Sequence, residues 1–432
     1  MALPHVVIIG CGFGGLAAVS ALARAEVEVT LIDRTNHHLF QPLLYQVATA
    51  GLAAPSVSAT IRHVLRRQIR GGRLTVLQAT VNDVDVAARA VVLDDGQRIG
   101  YEHLIVAVGA GHSYFGHDDW AAHAPGLKTL ADAYEVRARV IGAFEHAERA
   151  LDDSERDAWM SFAVIGGGPT GVELAGTLVE IARHTLPHEF RRIDSRQSRV
   201  RLIEGADRVL GAFDARLSAS AKRQLENLGV EVMTGCRVNK IDAEGVSIDD
   251  HGGERRIAAR TVLWAAGVAA SPLGRKLAAG AGVQVDRSGR VPVQADLSLP
   301  GHPEISVIGD LAAARSDGKP VPGVSPAAKQ MGRCAAANIL ARLKAAPTHD
   351  FRYRDYGTLA TIGRKAAVVQ LEMPVFGALR FTGFPAWLFW LFAHLYFLIG
   401  FRNRVLVMID WAASYFSFAR HARVVAGPRH GP

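Results

Sequence analysis

The sequence predicts an α/β fold of two Rossmann-like dinucleotide-binding domains followed by apolar C-terminal helices. Three observations predict it. A strand, a Gly-x-Gly-x-x-Gly turn and a helix start occur together twice, an acidic residue closes the following strand each time, and an uncharged apolar run lies near the C-terminus.

The first fingerprint follows the strand-like run His5-Val6-Val7-Ile8-Ile9 and comprises Gly10, Gly12 and Gly15. The second follows Ser161-Phe162-Ala163-Val164-Ile165 and comprises Gly166, Gly168 and Gly171. Such a turn lets backbone N–H groups and the helix dipole meet a pyrophosphate, because only glycine permits so close an approach. One copy is a weak signal. Two predict a protein that holds two dinucleotides, as an enzyme moving electrons between a nicotinamide and a flavin must. Glu28-Val29-Thr30-Leu31-Ile32 reads as the next strand of the first half and ends in Asp33, spaced to bind a ribose. In the second half Arg199-Val200-Arg201-Leu202-Ile203 ends in Glu204, the longer spacing being taken up by a polar insert near 184–198. A carboxylate there accepts from ribose hydroxyls and repels a 2′-phosphate, so NADH is expected over NADPH, with Arg199, Arg201 and Arg208 acting against that preference.

Each half then returns to its sheet. Leu104-Ile105-Val106-Ala107-Val108-Gly109-Ala110 is similar to Thr261-Val262-Leu263-Trp264-Ala265-Ala266-Gly267-Val268, and each follows a hairpin signal, at Asp94-Asp95-Gly96 and at residues 249–253. Ile305-Ser306-Val307-Ile308 reads as a strand ending in Gly309-Asp310, which has no counterpart after the second half.

Length, charge and cysteine usage narrow the function. With 432 residues the chain can bury two α/β cores and still leave a tail. A net charge of +8 suits an acidic membrane surface; no helix-turn-helix, zinc-finger or RNA-recognition pattern accompanies it, so no nucleic-acid partner is expected. Cys11, Cys236 and Cys334 form no Cys-x-x-Cys or Cys-x4-Cys pair, which argues against a dithiol relay and leaves electrons to pass from the flavin directly to an acceptor. The 17 histidines are scattered, and no metal site is expected. The chain enters its first strand by His5 with no signal-peptide pattern, which predicts a catalytic body facing the cytoplasm.

The acceptor is indicated by the C-terminus. Residues 381–401 carry no formal charge, and Arg402, Arg404, Arg420 and Arg423 bracket a further apolar stretch that holds one acid, Asp410. An apolar helix and an amphipathic helix with flanking arginines predict a segment lying in the membrane interface, while the run is also near the minimum length for a span. His394 within it reads as a helix-packing residue rather than a proton donor.

The run from His37 to Leu52 with its Phe40-Gln41-Pro42-Leu43-Leu44-Tyr45 core, the helix start Pro169-Thr170-Gly171-Val172-Glu173-Leu174-Ala175-Gly176, Gly309-Asp310, Lys329-Gln330-Met331-Gly332-Arg333 and Leu398-Ile399-Gly400-Phe401-Arg402-Asn403-Arg404 are distinctive. Together they resemble the bacterial type II NADH:quinone oxidoreductases, members of the two-dinucleotide-binding-domain flavoproteins, over nearly the whole chain. The resemblance implies an NADH domain (121–268) inserted in an FAD domain (1–120 and 269–348), with a membrane-association region at 349–432. It implies a non-proton-pumping respiratory dehydrogenase that passes electrons from NADH through FAD to a membrane quinone. A homodimer on the cytoplasmic face of the cell inner membrane is expected, peripheral or monotopic, with a single C-terminal transmembrane helix as the alternative.

Residue roles follow from the same resemblance. Gly10, Gly12, Gly15 and Asp33 would hold FAD with Asp310 on its ribityl chain; Phe40 to Tyr45 would line the isoalloxazine; Gly166, Gly168, Gly171 and Glu204 would hold NADH. Gly14, Arg34, Val81, Ala107, Gly109, Gly267, Gly309 and Gln330 join the cofactor-binding set. Glu173 is placed in the first helical turn, where it would govern NADH placement and proton handling near the flavin. Gln330 matches one of two glutamines of the quinone motif, Pro326 stands at the other position, and Lys329 would lend positive charge to quinol formation. Two other readings share both dinucleotide sites: a soluble FAD reductase for a rubredoxin- or ferredoxin-like protein, and a non-catalytic NADH-sensing flavoprotein.

Overall fold

The computed structural model describes residues 3–250, 252–373, 377–418 and 420–425. Its main elements begin with β1 (His5–Ile9), α1 (Phe13–Leu22), β2 (Glu28–Asp33), β3 (Leu74–Gln78) and β4 (His103–Val106). Next come α2 (Leu130–Arg149), β5 (Ser161–Ile165), α3 (Pro169–Glu180), β6 (Arg199–Glu204), β7 (Val230–Thr234) and β8 (Thr261–Trp264). The chain continues through β9 (His302–Val307), α4 (Ser325–Leu343), β10 (Thr358–Gly363), β11 (Ala366–Met373), β12 (Gly377–Thr382), α5 (Phe384–Phe397) and α6 (Phe401–Ser417). These elements fall into two compact units: one of Met1–Leu39, Ala59–Gly111 and Val268–Asp355, the other of Phe40–Ser58, His112–Gly267 and Tyr356–Pro432.

In the first unit the sheet order is the short edge Ser298–Leu299, then β9, β4, β1, β2 and β3. Every pairing is parallel except that of the edge strand. Parallel strands buried on both faces need continuous apolar runs, and Val6, Val7, Ile8, Leu104, Ile105 and Val106 supply them with no exposure at all. The strand leading to Gly309-Asp310 ends earlier than expected, at Val307, and Gly309–Leu311 make one turn of 3-10 helix. Helices α1 and α4 cross at two glycines: a Cβ on Gly332 would stand 2.2 Å from the Gly14 carbonyl oxygen.

The second unit repeats the motif with sheet order β7, β6, β5 and β8, all parallel. A capping box at Thr129 and Asp132 starts α2. The antiparallel strands β10 to β12 belong to this unit, and a Cβ on Gly176 of α3 would meet the Ile362 carbonyl oxygen at 1.8 Å, so α3 carries glycine where β10 crosses it. The segment expected as a separate membrane-association region is therefore packed, in part, on the helix that follows the second glycine turn.

The C-terminal apolar run forms α5, which is only 14 residues long. At about 1.5 Å per residue it falls short of the roughly 30 Å of a bilayer core. Gly383 at positive φ precedes α5, Leu398 ends it with extended backbone, and Gly400 at positive φ precedes α6. No helix among the described residues is long and apolar enough to cross a membrane, which corrects the transmembrane alternative.

Because the clash at Gly332 is with backbone, neither helix can yield locally. Gly332→Ala is expected to cost about 1–3 kcal/mol and to lower the thermal midpoint of the purified protein. An unchanged midpoint in a melting experiment would show that the α1–α4 crossing tolerates a methyl group.

Candidate functional site

The two glycine turns have the same construction. In the first, Gly10 adopts φ +94°, and a Cβ on Gly15 would lie 1.8 Å from the Gly10 carbonyl oxygen, so the turn requires glycine at both places. The Asp33 carboxylate accepts from the Cys11 N–H at 2.6 Å and from the Thr35 N–H and hydroxyl at 2.7 and 2.8 Å. In the second, Gly166 adopts φ +107°, and a Cβ on Gly171 would again lie 1.8 Å from the carbonyl oxygen of the first glycine. Glu204 accepts from the Gly167 N–H at 2.5 Å and from the Ala206 N–H at 2.7 Å. In each unit a carboxylate at the end of the second strand thus fixes the residue after the first glycine.

Both turns leave backbone donors uncapped. Helices α1 and α3 are preceded by Gly12 and Gly168 at their N-cap positions, with no side-chain cap and no acidic residue in the first turn, which leaves their N-terminal N–H groups open to an anion. A Cβ on Gly12 or Gly168 would meet nothing within 4 Å, so each turn is open on its outer side. Asp310 adds to the first unit a carboxylate that faces Gly323 and makes no hydrogen bond among the described residues. The sequence reading missed His38: it is buried under the first turn, Nδ1 donates to the Cys11 carbonyl at 2.8 Å, and burial depresses its pKa, so it remains neutral. Only its pairing with His37 marks it in the sequence.

The remaining expected residues fall in varied settings. Arg34 is exposed, Val81 opens an antiparallel strand, and Gly109 turns the chain at positive φ with open space on its side-chain side. Gly14 lies at the α1–α4 crossing, and Ala107 packs against Gly10 and Gly15. Of the three arginines set against the NADH preference, Arg201 is buried and committed to Glu231 at 2.8 Å and to the Ser161 hydroxyl at 2.7 Å, Arg199 is exposed, and Arg208 donates to the Gly211 carbonyl. Cys11 is buried, and burial followed by the charge of Asp33 holds it as a thiol.

Glu173 lies further along its helix than expected. Since α3 starts at Pro169, Glu173 is its fifth residue, past the first turn, and its side chain is buried. Burial raises its pKa well above the ordinary carboxylate value, with the Thr361 backbone and the Trp390 indole offsetting part of the shift. The dominant influence is therefore dehydration of the carboxyl, not the helix dipole that would have favoured its charged form. Its surroundings include Tyr45, whose buried hydroxyl accepts from the Gln46 amide at 2.9 Å. Trp390 and His394 come from α5; the two rings stack at 4.0 Å, and His394 Nδ1 donates to the Trp390 carbonyl at 2.7 Å. Phe40 meets His394 edge-on at 6.2 Å. Burial lowers the His394 pKa to about 4, so it is a neutral packing residue near pH 7.

The quinone-motif residues lie on α4 in the first unit. Pro326 stands at the helix start, where its missing N–H costs nothing. The Gln330 side chain is already engaged: Nε2 donates to the Arg354 carbonyl and Oε1 accepts from the Arg354 N–H, both at 2.9 Å. Lys329 is partly buried with its ammonium 5.1 Å from the Phe13 ring, and burial, then Arg333, lowers its pKa. Among the described residues no cluster of three His, Cys, Asp or Glu side chains is placed to hold a metal.

Comparison with known proteins places this geometry. The Pyridine nucleotide-disulphide oxidoreductase family profile matches residues 4–332, and that of the NDH2 C-terminal domain matches residues 356–421. Type II NADH:quinone oxidoreductase Ndh of Mycobacterium tuberculosis is 44% identical over 423 residues, covering 96% of this chain and 89% of that protein. NdhA of the same organism is 45% identical over 425 residues, covering 96% and 88%. The chain belongs to the type II NADH:quinone oxidoreductase family. The fold is also that of NDH2 from Plasmodium falciparum, solved in complex with NADH, with a TM-score of 0.85 at 20% identity over 98% of this chain and all of that one. A ferredoxin reductase from Rhodopseudomonas palustris shares less of it, with a TM-score of 0.66 at 21% identity over 86% of this chain and 83% of that one. The family's C-terminal domain contributes Trp390, whose indole acts on Glu173, and this contact was invisible as a pattern because the residues lie far apart in the chain.

The buried carboxyl has a defined pH signature. Burial raises the Glu173 pKa above its ordinary value near 4.5, so its stabilising contribution is whole below that pH and is lost as pH rises through the raised folded value. Glu173→Gln, a neutral isostere, is expected to raise the thermal midpoint at pH 8 and to change it little at pH 5. An equal effect at the two pH values would contradict the burial of a neutral acid.

Proposed function

We propose that this protein is an FAD-dependent respiratory dehydrogenase that takes electrons from NADH and passes them through FAD to a membrane quinone without pumping protons. The observation that carries the reading is the doubled turn, one open pyrophosphate cradle and one strand-end carboxylate in each unit, in a chain whose C-terminal domain is that of the NDH2 proteins. Bound FAD would supply the carrier that takes two electrons from NADH and yields them to quinone. The chain's own residues bind and orient. Gly10, Gly12, Gly15 and Asp33 hold the FAD pyrophosphate and ribose, Asp310 its ribityl hydroxyls, and Phe40 to Tyr45 its ring system. Gly166, Gly168, Gly171 and Glu204 hold NADH, with Glu204 selecting against a 2′-phosphate. Glu173 stores a proton as a dehydrated acid. A quinone carbonyl takes the Gln330 amide only if that amide releases the Arg354 peptide, which makes Gln330 a gated contact.

The membrane surface is met by α5 and α6. Phe384, Leu388, Phe392 and Tyr396 recur every four residues on α5 and are 46–68% exposed, while Ala386, Trp390 and His394 line its buried side. Phe401, Met408, Ile409 and Phe416 extend the apolar exposure along α6, with Arg402 and Arg404 exposed beside Phe401. A helix too short to span, with one aromatic face in solvent, suits a peripheral enzyme lying in the interface of an anionic membrane. We place it on the cytoplasmic face of the cell inner membrane, as a homodimer.

Stopped-flow spectroscopy of the detergent-purified protein tests the activity: NADH is expected to bleach the flavin faster than NADPH, and a short-chain quinone to restore the oxidised spectrum. Bleaching without quinone reoxidation would favour a protein acceptor or a sensor. Flotation with anionic phospholipid vesicles tests the membrane face, where Phe392→Asp is expected to reduce the bound fraction severalfold. Equal flotation of the two proteins would remove α5 from the contact.

A further inference from the structure

In an open parallel sheet the ligand crevice lies beyond the carboxyl ends of the strands, where the strand order reverses direction. In the second unit that point lies between β5 and β8, since β5, β6 and β7 follow one another in one direction and β8 joins on the other side. Glu204 ends β6, and the helix start that meets the pyrophosphate follows β5. A dinucleotide with its adenosine ribose at Glu204 therefore directs its nicotinamide half toward the end of β8, at Ala265-Ala266-Gly267.

One aromatic ring occupies the margin of that place. A Cβ on Gly267 would stand 2.6 Å from Phe115 Cζ and 2.9 Å from the Ser113 carbonyl oxygen, so Gly267 is glycine to admit this loop. Phe115 is 68% exposed, whereas its neighbours Tyr114, Trp120 and Trp264 are buried. Its backbone is unusual as well. The His117 N–H donates to the Tyr114 carbonyl at 3.0 Å, closing a turn whose central residues, Phe115 and Gly116, have φ of +54° and +95°. Positive φ at both central positions is the type I′ pattern, which favours asparagine, aspartate or glycine in the place Phe115 occupies. A bulky residue is thus held at a conformational cost, and most of its ring faces solvent. The loop does not need the ring for anchorage: Trp264 Nε1 donates to the Ser113 carbonyl at 2.9 Å, the Ser113 N–H to the Gly267 carbonyl at 3.2 Å, and the Tyr114 hydroxyl to the Ala124 carbonyl at 2.9 Å.

We infer that Phe115 is an NADH-binding residue whose exposed ring, seated on Gly267 at the end of β8, forms the apolar wall against which the nicotinamide half of NADH packs. The inference rests on the proposed reading of the second glycine turn as the NADH site. A flat ring at this edge supplies contact area to a planar ligand with little entropy to lose, and strain concentrated in a binding loop accords with the turn it keeps.

Phe115→Asn separates this role from a structural one, because asparagine is the residue the turn prefers. Stopped-flow flavin reduction in the FAD-loaded full-length protein is expected to show NADH binding weakened about tenfold, with a thermal midpoint at or above that of the parent and an unchanged KM for a short-chain quinone. Phe115→Tyr should restore parent affinity. Phe115→Leu, which keeps apolar contact with Gly267, serves if the asparagine variant does not fold and should show the same loss. Unchanged NADH affinity in the variants, a loss that tracks a fallen midpoint, or an equal rise in the quinone KM would overturn the inference alone. A parent protein whose flavin NADH does not reduce would overturn the proposed function, and this inference with it.

Discussion

The bond from a strand-end carboxylate to the backbone N–H behind the first glycine is the constraint on which both glycine turns depend. Asp33 makes it to Cys11 and Glu204 to Gly167, each across the mouth of a turn that glycine alone can form. The bond ties β2 to β1 in one unit and β6 to β5 in the other, at the point where the chain must leave the sheet and enter a helix. With the turn held closed, the first N–H groups of α1 and α3 are presented without side-chain caps, which is the arrangement an anion can occupy. Each carboxylate retains lone pairs beyond those used for the backbone, so the group that shapes the turn is also able to accept from a ribose.

From the second turn the chain of dependence runs into the C-terminal domain. Gly176 lets β10 cross α3 at backbone distance, and this brings Thr361 and α5 toward the carboxyl of Glu173. Glu180, at the end of the same helix, accepts from the Arg364 N–H at 2.5 Å and pairs with Arg420 at 3.4 Å. Arg364 in turn donates to the Ser414 and Tyr415 carbonyls at the end of α6, where a cation suits the helix dipole. The helices with exposed aromatic faces are thus fastened to the helix that begins at the second glycine turn. A buried neutral acid and a buried neutral histidine are stable there because apolar packing, and not a counter-ion, surrounds them.

The site was legible in the sequence where chemistry is local. The glycine spacing, the closing acids and the apolar strand runs are features of a few adjacent residues, and the structure places them at corresponding positions in both units. Where a role depends on what another segment brings, the reading went astray or fell silent. Glu173 read as an acid assisted by the helix dipole, but residues 361 and 390 enclose it and dehydration prevails. Gln330 matched a quinone-motif glutamine, and that Arg354 engages both ends of its amide is something no local pattern announces. The apolar run near 381–401 had the composition of a span, yet its helix begins after Gly383 at positive φ, ends where Leu398 turns extended, and so has 14 residues with one face buried.

By itself the sequence determined two parallel-sheet units, their glycine turns, the strand-end acids and the absence of a paired-cysteine motif, because each is set by turn sterics or by periodicity within a short stretch. Only the tertiary structure decided the protonation of Glu173 and His394, the engagement of Gln330, and which face of α5 remains exposed. Those properties depend on dehydration and on partners distant in the chain, and neither is encoded in any local pattern.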